Sequence, residues 1–562
     1  MLPRLSIVLA LLAAVLVAPF AFQPEGAKRK LHGAPGDRLV IITPHNESIR
    51  AEFGRAFVRH MRENHGREIF VDWRQPGGTS EIARFLRSEY SSRFESLWTK
   101  TTGLPFTRSI REAFTDRTLD PPATQEGRTT GTTLLPPDDP AELTAARRLF
   151  LESGIGVGID LFFGGGAYDF ERQAAAGFLV ARDASGRFGP GALAEEKPDW
   201  FREEVMPASV SGEPFRDAEF RWVGTVLSAF GICYNSDVLS RLGIAEPPRT
   251  WTDLADPRLF GQIALADPTK SGSTTKAFEM LVQERIQTIQ RERALPETAA
   301  VAAGWDEAMR LILRISANAR YYTDSAAKVP RDVAMGDAAV GMCIDFYGRT
   351  FNELFRSDDG ESRVHFVMPR GGTSIGADPI GMLRGAPQPE LAHRFIEFVL
   401  SPEGQKIWNY RPGTNGGPVR FALRRPPIRK DFYVAANEPA MTDPEVNPYE
   451  LTAGFTYHPE WTGSLFTALR FVIRGACMDP HEEQLAAWEA LIDAGLPPEG
   501  VARFENVSPI AHARVVSEIA PALRGADKVA QVRMARELAE TYRAHYRAIA
   551  ERYGRDRPPP SS

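Results

Sequence analysis

The run from Ala338 to Ile344 constrains the fold of this chain more than any other part of the sequence. It contains no charged residue, and its length and composition are typical of a β-strand that is buried on both faces. Strands of this kind occur mainly in α/β sheets, which are covered by helices on both sides. Asp345, Phe346 and Tyr347 follow directly. Because ligands of open α/β sheets bind at the carboxyl ends of the strands, these three residues are candidate ligand contacts.

A helix is predicted immediately before this strand. Asp324 and Ser325 can cap its amino terminus, since their side-chain oxygens can accept hydrogen bonds from free backbone N–H groups. Val329, Val333 and Met335 follow and would face a core. The order of helix, buried strand and polar loop is that of one unit of an α/β fold.

The same order occurs earlier in the chain and predicts a parallel α/β sheet. Buried strands are predicted at Arg38–Thr43, Ile69–Trp73 and Val157–Phe163. Between about Ser88 and Ala146 the periodicity weakens, and we interpret this segment as a surface insertion. Arg221–Asn235 contains two apolar runs and could cross between two lobes as a hinge strand.

Composition excludes some classes of protein. The 562 residues are enough for two or three domains, and the net charge of −5 offers no general excess of cations for nucleic-acid phosphates. We therefore predict no nucleic-acid partner. Basic clusters at 28–30 and at Arg424–Arg425 are interpreted as solvated surface.

The amino terminus is typical of an exported protein. An apolar run from Leu5 to Phe22 follows Arg4, which indicates a signal peptide or an uncleaved anchor at residues 1–22. The predicted location is periplasmic or extracytoplasmic. The cysteines, Cys233, Cys343 and Cys477, are too scattered for a zinc site, and the sequence leaves open whether Cys233 and Cys343 form a disulfide.

Several segments together resemble the periplasmic solute-binding proteins of ABC importers, in the type II group that includes receptors for ferric iron, phosphonates and sugar phosphates. The segments are TPHNE at 43–47, GGTSE at 77–81, DLFFGGG at 160–166, GICYNSDVL at 231–239, the stretch from Trp251 to Thr274, Tyr321 to Thr350, and FVLSPEGQKIW at 398–408. The resemblance implies an α/β, two-lobe type II binding-protein fold with hinge crossings. The chain also has a mostly helical C-terminal extension.

The resemblance also implies a division of the chain. Lobe 1 would comprise residues 38–225, with the insertion at about 88–146, and would be completed by a return segment at 368–430. Lobe 2 would comprise residues 226–367. The C-terminal extension is defined as residues 431–562, which could provide a small domain or pack on the main body.

Two polar loops could hold an anion between the lobes. Ser271, Gly272, Ser273 and Thr274 precede a predicted helix, and the loop containing Gly78, Thr79 and Ser80 precedes another. The backbone N–H groups and the positive end of the helix dipole favour anions at such positions. Simple helix capping is the alternative interpretation of each loop.

The resemblance also permits ferric iron as the bound ligand. Ferric-binding members hold iron with one tyrosine of a Tyr-Asn pair and two adjacent tyrosines. Tyr234 matches the first and Tyr347 the last, but Phe346 replaces the middle phenolate. Fe(III) prefers anionic oxygen ligands, so Asp345 could supply the missing charge, and His45 lies where some members contribute a histidine.

We therefore predict a monomeric receptor that binds ferric iron or a small phosphate-like or phosphonate-like anion and docks on importer membrane subunits. The chain lacks G-x-S-x-G, H-E-x-x-H and Walker A motifs, and we predict no enzymatic activity and no other cofactor. The alternative is an envelope interaction or sensing protein that uses the same scaffold without transport.

Overall fold

The computed structural model describes residues 37–120, 140–451, 454–525 and 527–554. The predicted export segment, residues 1–22, and residues 121–139 of the predicted insertion lie outside these ranges. The strands are β1 Arg38–Ile42, β2 Phe70–Arg74, β3 Leu161–Phe163, β4 Leu179–Val180, β5 Ser209–Val210, β6 Glu213–Pro214, β7 Val223–Asn235, β8 Ile263–Ala266, β9 Ala319–Thr323, β10 Val340–Ile344, β11 Val364–Val367 and β12 Ile375–Leu383.

Helices surround these strands. The α-helices are α1 Glu47–His65, α2 Thr79–Thr102, α3 Arg108–Ala113, α4 Pro140–Glu152, α5 Ala167–Ala176, α6 Pro190–Glu196, α7 Ser236–Arg241, α8 Gly272–Arg293, α9 Glu297–Ala317, α10 Lys328–Met335, α11 Asp345–Leu354, α12 Pro389–Leu400, α13 Pro402–Asn409, α14 Pro459–Thr462, α15 Phe466–Ile473, α16 His481–Asp493, α17 Pro498–Phe504, α18 His512–Arg514, α19 Ala520–Arg524 and α20 Lys528–Tyr553. Two π-helical turns occupy Arg474–Met478 and Val515–Ile519. Short 3-10 helices occupy Arg117–Leu119, Pro198–Phe201, Trp251–Ala255, Pro257–Leu259, Lys430–Phe432, Glu438–Ala440, Gly463–Leu465 and Ser508–Ile510.

The long strand β7 joins two lobes. Its first half pairs with β12, and its second half pairs with β10 and β11. The main strand order is β2-β1-β3-β12-β7-β10-β8-β9, with the β1–β2 and β8–β9 pairs parallel and the pairs of β7 antiparallel. Lobe 1 lies on the β12 side of β7 and lobe 2 on the β10 side. The predicted α/β architecture with a crossing strand and a helical C-terminal region is confirmed.

The sheet of lobe 1 is covered on both faces, as its sequence predicted. Leu39 and Ile41 of β1 belong to one apolar cluster with α1, α12 and α13, whereas Val40 and Ile42 belong to the cluster on the other face with α2, α4 and α5. Successive strand residues alternate between the faces, so the uninterrupted apolar run is explained by helices on both sides.

The helical pattern does not break at Ser88, where the sequence analysis began the predicted surface insertion. Helix α2 continues to Thr102 because Tyr90, Phe94 and Trp98 recur at a spacing of four residues and are buried in a lobe 1 cluster. The predicted helix at the end of this segment is present as α4.

The helix before β10 differs from its prediction at both ends. Val329 and Val333 are buried as expected, but Met335 is 64% exposed because the last turn of α10 reaches solvent. The helix begins only at Lys328, so Asp324 does not cap it and instead pairs with Lys328 at 2.6 Å. All residues of β10 are buried.

The C-terminal extension shares one apolar core with lobe 2. Trp305 of α9 donates from Nε1 to the carbonyl of Ile510 at 3.1 Å, and Trp488 of α16 donates to Oδ1 of Asn318 at 3.0 Å. One cluster contains buried residues of lobe 2 together with extension residues from Trp461 onward. From Trp461 onward, the extension is therefore part of the folded body of lobe 2.

Cys233 and Cys343 are free and buried on the paired strands β7 and β10, where Cys233 lies opposite Gly341. Burial raises the pKa of the Cys343 thiol well above its ordinary value. In the part of the chain that the structure describes, no helix is long and apolar enough to cross a membrane.

Candidate functional site

A cavity of about 1840 Å³ lies between the two lobes. Most of the predicted ligand contacts line it. From lobe 1 these are His45, Gly78 and Thr79, and from lobe 2 they are Ser271, Gly272, Ser273 and Tyr347. The C-terminal extension also contributes to the wall, through residues such as Tyr457 and Phe466.

The two predicted anion loops contact each other, and both line this cavity. Helix α2 begins after Gly78 and helix α8 after Ser271, whose Oγ accepts a hydrogen bond from the backbone N–H of Thr274. A Cβ atom on Gly78 would lie 2.9 Å from the carbonyl oxygen of Lys270, and one on Gly272 would lie 2.9 Å from Oγ1 of Thr79. Glycine is required at both positions for this approach. The positive ends of two helix dipoles therefore converge on the cleft.

Thr274 and Ser80, which were also predicted to contact the ligand, do not line the cavity. Thr274 is buried and completes the amino-terminal turn of α8, so its backbone supports the helix cap. Ser80 accepts a hydrogen bond at 3.0 Å from Nη1 of Arg470, a residue of the C-terminal extension.

A charged group forms the floor of the cavity. His45 follows β1, and its Nε2 lies 3.7 Å from Oδ2 of Asp378 on β12. The same carboxylate accepts a hydrogen bond at 2.7 Å from Nη1 of Arg425. Burial lowers the pKa of His45, so the imidazole stays neutral to a lower pH than it would in water. Burial alone would raise the pKa of Asp378, but the charge of Arg425, the hydrogen bond that Arg425 donates and the neighbouring His45 hold it at about 2.

This pKa predicts how stability depends on pH. The folded value lies below the ordinary value of 3.8, so the stabilising contribution of Asp378 is complete above about pH 4 and is lost as the pH falls towards 2. Asp378→Asn should therefore lower the free energy of unfolding at pH 7 and make its decline between pH 4 and pH 3 shallower. Urea denaturation at several pH values measures both effects. The exposed Asp358→Asn is the matched control, and equal pH slopes in all three proteins would contradict this assignment.

Tyr347 and Phe346 lie in the first turn of helix α11 and not on a strand. The Phe346 ring lies under the guanidinium of Arg425, with 4.5 Å from Cζ to the ring centroid. Burial raises the pKa of Tyr347, and the nearby charge of Arg425 opposes that rise. Tyr347 is therefore a neutral phenol that can donate or accept a hydrogen bond in the cleft.

Asp345 does not line this cavity. It is buried at the start of α11, where its Oδ2 accepts a hydrogen bond at 2.7 Å from Nη2 of Arg349. The helical start of this segment, which the sequence analysis treated as the end of a strand, turns the carboxylate towards Arg349.

Tyr234 and Tyr347 are not brought together. Tyr234 lines a second cavity, of about 980 Å³, and its ring stacks on His365 with 4.9 Å between centroids. The two phenolates of the ferric hypothesis therefore belong to separate cavities. Among the described residues there is also no group of three or more His, Cys, Asp or Glu side chains that could hold a metal ion.

The C-terminal extension bridges the two lobes at the cleft. Nε of Arg470 donates to Oγ1 of Thr275 in lobe 2 at 2.8 Å, while its Nη1 donates to Ser80 in lobe 1. The hydroxyl oxygens of Tyr168 in lobe 1 and Thr467 in the extension lie 3.0 Å apart. The extension thus contacts both walls of the cavity.

A buried ion cluster joins the same three parts of the chain. Nζ of Lys276 in lobe 2 lies 3.0 Å from carboxylate oxygens of both Glu213 in lobe 1 and Glu279 in lobe 2. The ring of Tyr457, from the extension, lies 3.5 Å from this ammonium, and its hydroxyl donates to Glu279 at 3.0 Å. Although burial alone would lower the pKa of Lys276, the two carboxylates raise it above its ordinary value.

Residues 202–419 match the family described as bacterial extracellular solute-binding protein. This match covers less than half of the 562 residues. We call residues 202–419 the solute-binding region. It contains β7, β12 and the whole of lobe 2 as defined above, residues 226–367. The family description specifies binding and not catalysis, as the sequence analysis predicted.

Two relatives are similar to parts of the chain. The chain is 28% identical over 249 residues to an uncharacterized protein of Haemophilus influenzae, covering 44% of this chain and 60% of that protein. It is 23% identical over 185 residues to the phosphoglycerate transport regulatory protein PgtC of Salmonella typhimurium, covering 33% of this chain and 40% of that protein. The chain thus covers less than two thirds of the length of either relative.

Among solved structures, the periplasmic binding protein AfuA from Actinobacillus pleuropneumoniae, with exogenous fructose-6-phosphate bound, is similar with a TM-score of 0.41 and 18% identity. The similarity covers 66% of this chain and 81% of AfuA.

Sequence reasoning missed several residues in and around the solute-binding region. Arg425 was interpreted as solvated surface, which is wrong, because it is 1% exposed and lines the cavity. Asp378 precedes a proline within β12 and carries no motif. Lys276 and Arg470 contact residues that are distant in the sequence, and no local pattern predicts those contacts.

Proposed function

We propose that this protein is an extracytoplasmic receptor that binds a small anionic solute between its two lobes. The observation that carries this proposal is the convergence of the α2 and α8 amino termini, at Gly78 and Gly272, on one cavity. Backbone N–H groups and two helix dipoles there favour negative charge. The family description supports solute binding and an extracytoplasmic location.

The geometry favours an anion over ferric iron. Tyr234 and Tyr347 line different cavities, so a site built on both phenolates is not formed. The name of one similar protein refers to a phosphorylated solute, phosphoglycerate. We infer that a phosphorylated or similarly charged organic anion is the ligand and that importer membrane subunits receive it from the closed receptor.

Sensing without transport is the second candidate. It is favoured by the contacts of the extension with both lobes, through Arg470 and through Tyr457 at the Lys276 cluster. A receptor held closed by such contacts would release its solute slowly, which suits a sensor better than a carrier.

A thermal-shift titration tests the ligand class. The purified protein is titrated with inorganic phosphate, methylphosphonate, glycerol 3-phosphate, 3-phosphoglycerate, Fe(III)-citrate, citrate and putrescine, and visible spectra are recorded. A ligand at 100 times its Kd stabilises the folded state by about 2.7 kcal/mol. We expect stabilisation by a colourless anion. A visible charge-transfer band with iron, stabilisation by putrescine alone, or no stabilisation by any compound would overturn the proposal.

A pair of tyrosine variants locates the binding site. Tyr347→Phe should weaken binding of the stabilising anion about tenfold, because one hydrogen bond in the cleft is lost. Tyr234→Phe is the matched control and should leave the affinity unchanged, since its ring lines the other cavity. Isothermal titration calorimetry measures both. If the Tyr234 variant is the weaker binder, the anion does not occupy the cleft between the lobes.

A further inference from the structure

Arg425 carries hydrogen-bond donors that have no acceptor at the floor of the cleft. Its side chain is 1% exposed, and Nη1 is bound to Asp378. Nε and Nη2 are buried, and neither has a hydrogen-bond partner among the described residues. A buried donor without an acceptor costs about 1–3 kcal/mol, so a folded protein normally satisfies it with water, an ion or a ligand.

The orientation of this guanidinium is fixed from several sides. Cζ lies 4.5 Å from the Phe346 ring centroid and 5.5 Å from the Trp408 ring centroid. The backbone N–H of Arg425 donates to the carbonyl of Trp408 at 3.0 Å. With Nη1 bound to Asp378, the unpaired donors are Nε and Nη2. This edge of a guanidinium presents two parallel N–H groups at the spacing of two oxygens of one carboxylate or phosphate.

The surroundings contain a second polar group without a partner. Both ring nitrogens of His45, a buried residue, lack hydrogen-bond partners among the described residues, and Asp378 lies at ion-pair distance only. The neighbouring anion, Asp378, is already bound by Nη1 of Arg425. The floor therefore has donors in excess of acceptors, and it needs acceptor oxygens.

The residues around Arg425 come from both lobes. His45 and Asp378 belong to lobe 1, whereas Phe346 and Tyr347 belong to lobe 2. Separation of the lobes would uncover Arg425, and closure on a ligand would bury it again. This arrangement allows a fully buried arginine to meet a solute that enters from water.

We propose that Arg425 is the residue that anchors the ligand, through a bidentate pair of hydrogen bonds from Nε and Nη2 to a carboxylate or phosphoryl group. The inference rests on the proposed function, and it specifies that the ligand presents two oxygens of one oxyanion to the floor of the cleft. Phe346 supports the guanidinium from one face, and Tyr347 lies beside the same floor.

Arg425→Lys tests the anchor. Lysine retains the positive charge and can still pair with Asp378, but it cannot present two parallel N–H groups. We expect the affinity to fall about 100-fold, measured by calorimetry with inorganic phosphate, methylphosphonate and succinate. Loss confined to succinate would identify a carboxylate, and loss confined to the phosphorus compounds would identify a phosphoryl group.

Arg424→Lys is the matched control. Arg424 lines the second cavity and pairs with Asp443 at 2.7 Å, so its replacement should leave anion affinity unchanged. If Arg425→Lys binds the same anion as tightly as the wild type does, Arg425 does not anchor the ligand, and the proposed function stands. If the wild type binds none of these anions, nor any in the thermal-shift panel, the proposed function fails first.

Asp378→Asn keeps the proposal testable if Arg425→Lys does not fold. This change retains the Arg425 donors and removes the carboxylate that competes for the guanidinium. Affinity for the bound anion should then rise severalfold, and a fall in affinity would overturn the inference.

Discussion

Removal of residues 455–562 is expected to leave lobe 2 unfolded and not to yield a smaller receptor. The buried apolar residues of the extension from Trp461 to Ile549 belong to the same cluster as those of α8, α9 and the lobe 2 strands. Their loss would expose Trp305 and leave its Nε1 donor without the Ile510 carbonyl. We expect the truncated chain to lose helical circular dichroism beyond the deleted segment and to become protease-sensitive in lobe 2.

A single substitution in the same core gives a graded test. Trp488 is 2% exposed, packs on Phe504 and is hydrogen-bonded to Asn318. Trp488→Ala should reduce the free energy of unfolding by about 3–5 kcal/mol in urea denaturation, because it creates a large cavity. Val532→Ala is the control, since Val532 is 70% exposed on α20 and should change stability by less than about 0.5 kcal/mol. A truncated protein that retains a cooperative, protease-resistant lobe 2 would show that the extension is an independent unit.

Lys276→Met is expected to have the second large effect. It would leave Glu213 and Glu279 buried, at 3% and 1% side-chain exposure, without their cation. Removing one partner of a buried ion pair typically costs about 3–5 kcal/mol, because the remaining charge has no compensation. The free energy of unfolding at pH 7 measures this loss.

The control for this variant is the nearby Lys270→Met. Lys270 is 55% exposed and lies 3.9 Å from Asp267, so solvent screens the pair and the change should cost less than about 1 kcal/mol. The triple variant Lys276→Met, Glu213→Gln, Glu279→Gln should recover part of the stability lost in the single variant. Equal stability of the Lys276 variant and the wild type would mean that the cluster does not hold the lobes together.

The sequence predicted the parts of the fold that local pattern determines. β10 and the buried face of α10 were predicted because uncharged runs and helical spacing are visible in a short window. Met335 was misplaced because the position of the last turn depends on neighbouring elements. Helix α2 was cut short at Ser88 because polar residues on its exposed face hid the spacing of Tyr90, Phe94 and Trp98.

The sequence predicted the parts of the site that lie in loops with a recognisable local pattern. The Gly78 and Gly272 loops were found because glycine and hydroxyl residues before a helix are a local signal. Arg425 was misassigned because a pair of arginines in an irregular segment is usually solvated, and only the fold shows that Trp408 and Phe346 enclose one of them. Tyr234 and Tyr347 were expected in one site, but β7 and α11 direct them into different cavities.

The order in which the chain is made has a consequence for lobe 2. Its core joins residues near Phe230 to residues as late as Ile549, with the return of the chain through lobe 1 in between. A nascent lobe 2 therefore cannot bury its apolar surface until almost the whole polypeptide has been synthesised. Contacts between such distant parts of a chain form slowly and leave apolar surface exposed meanwhile. The late completion of lobe 2 would keep much of the chain unfolded during synthesis, the state in which polypeptides can be threaded through a secretion channel.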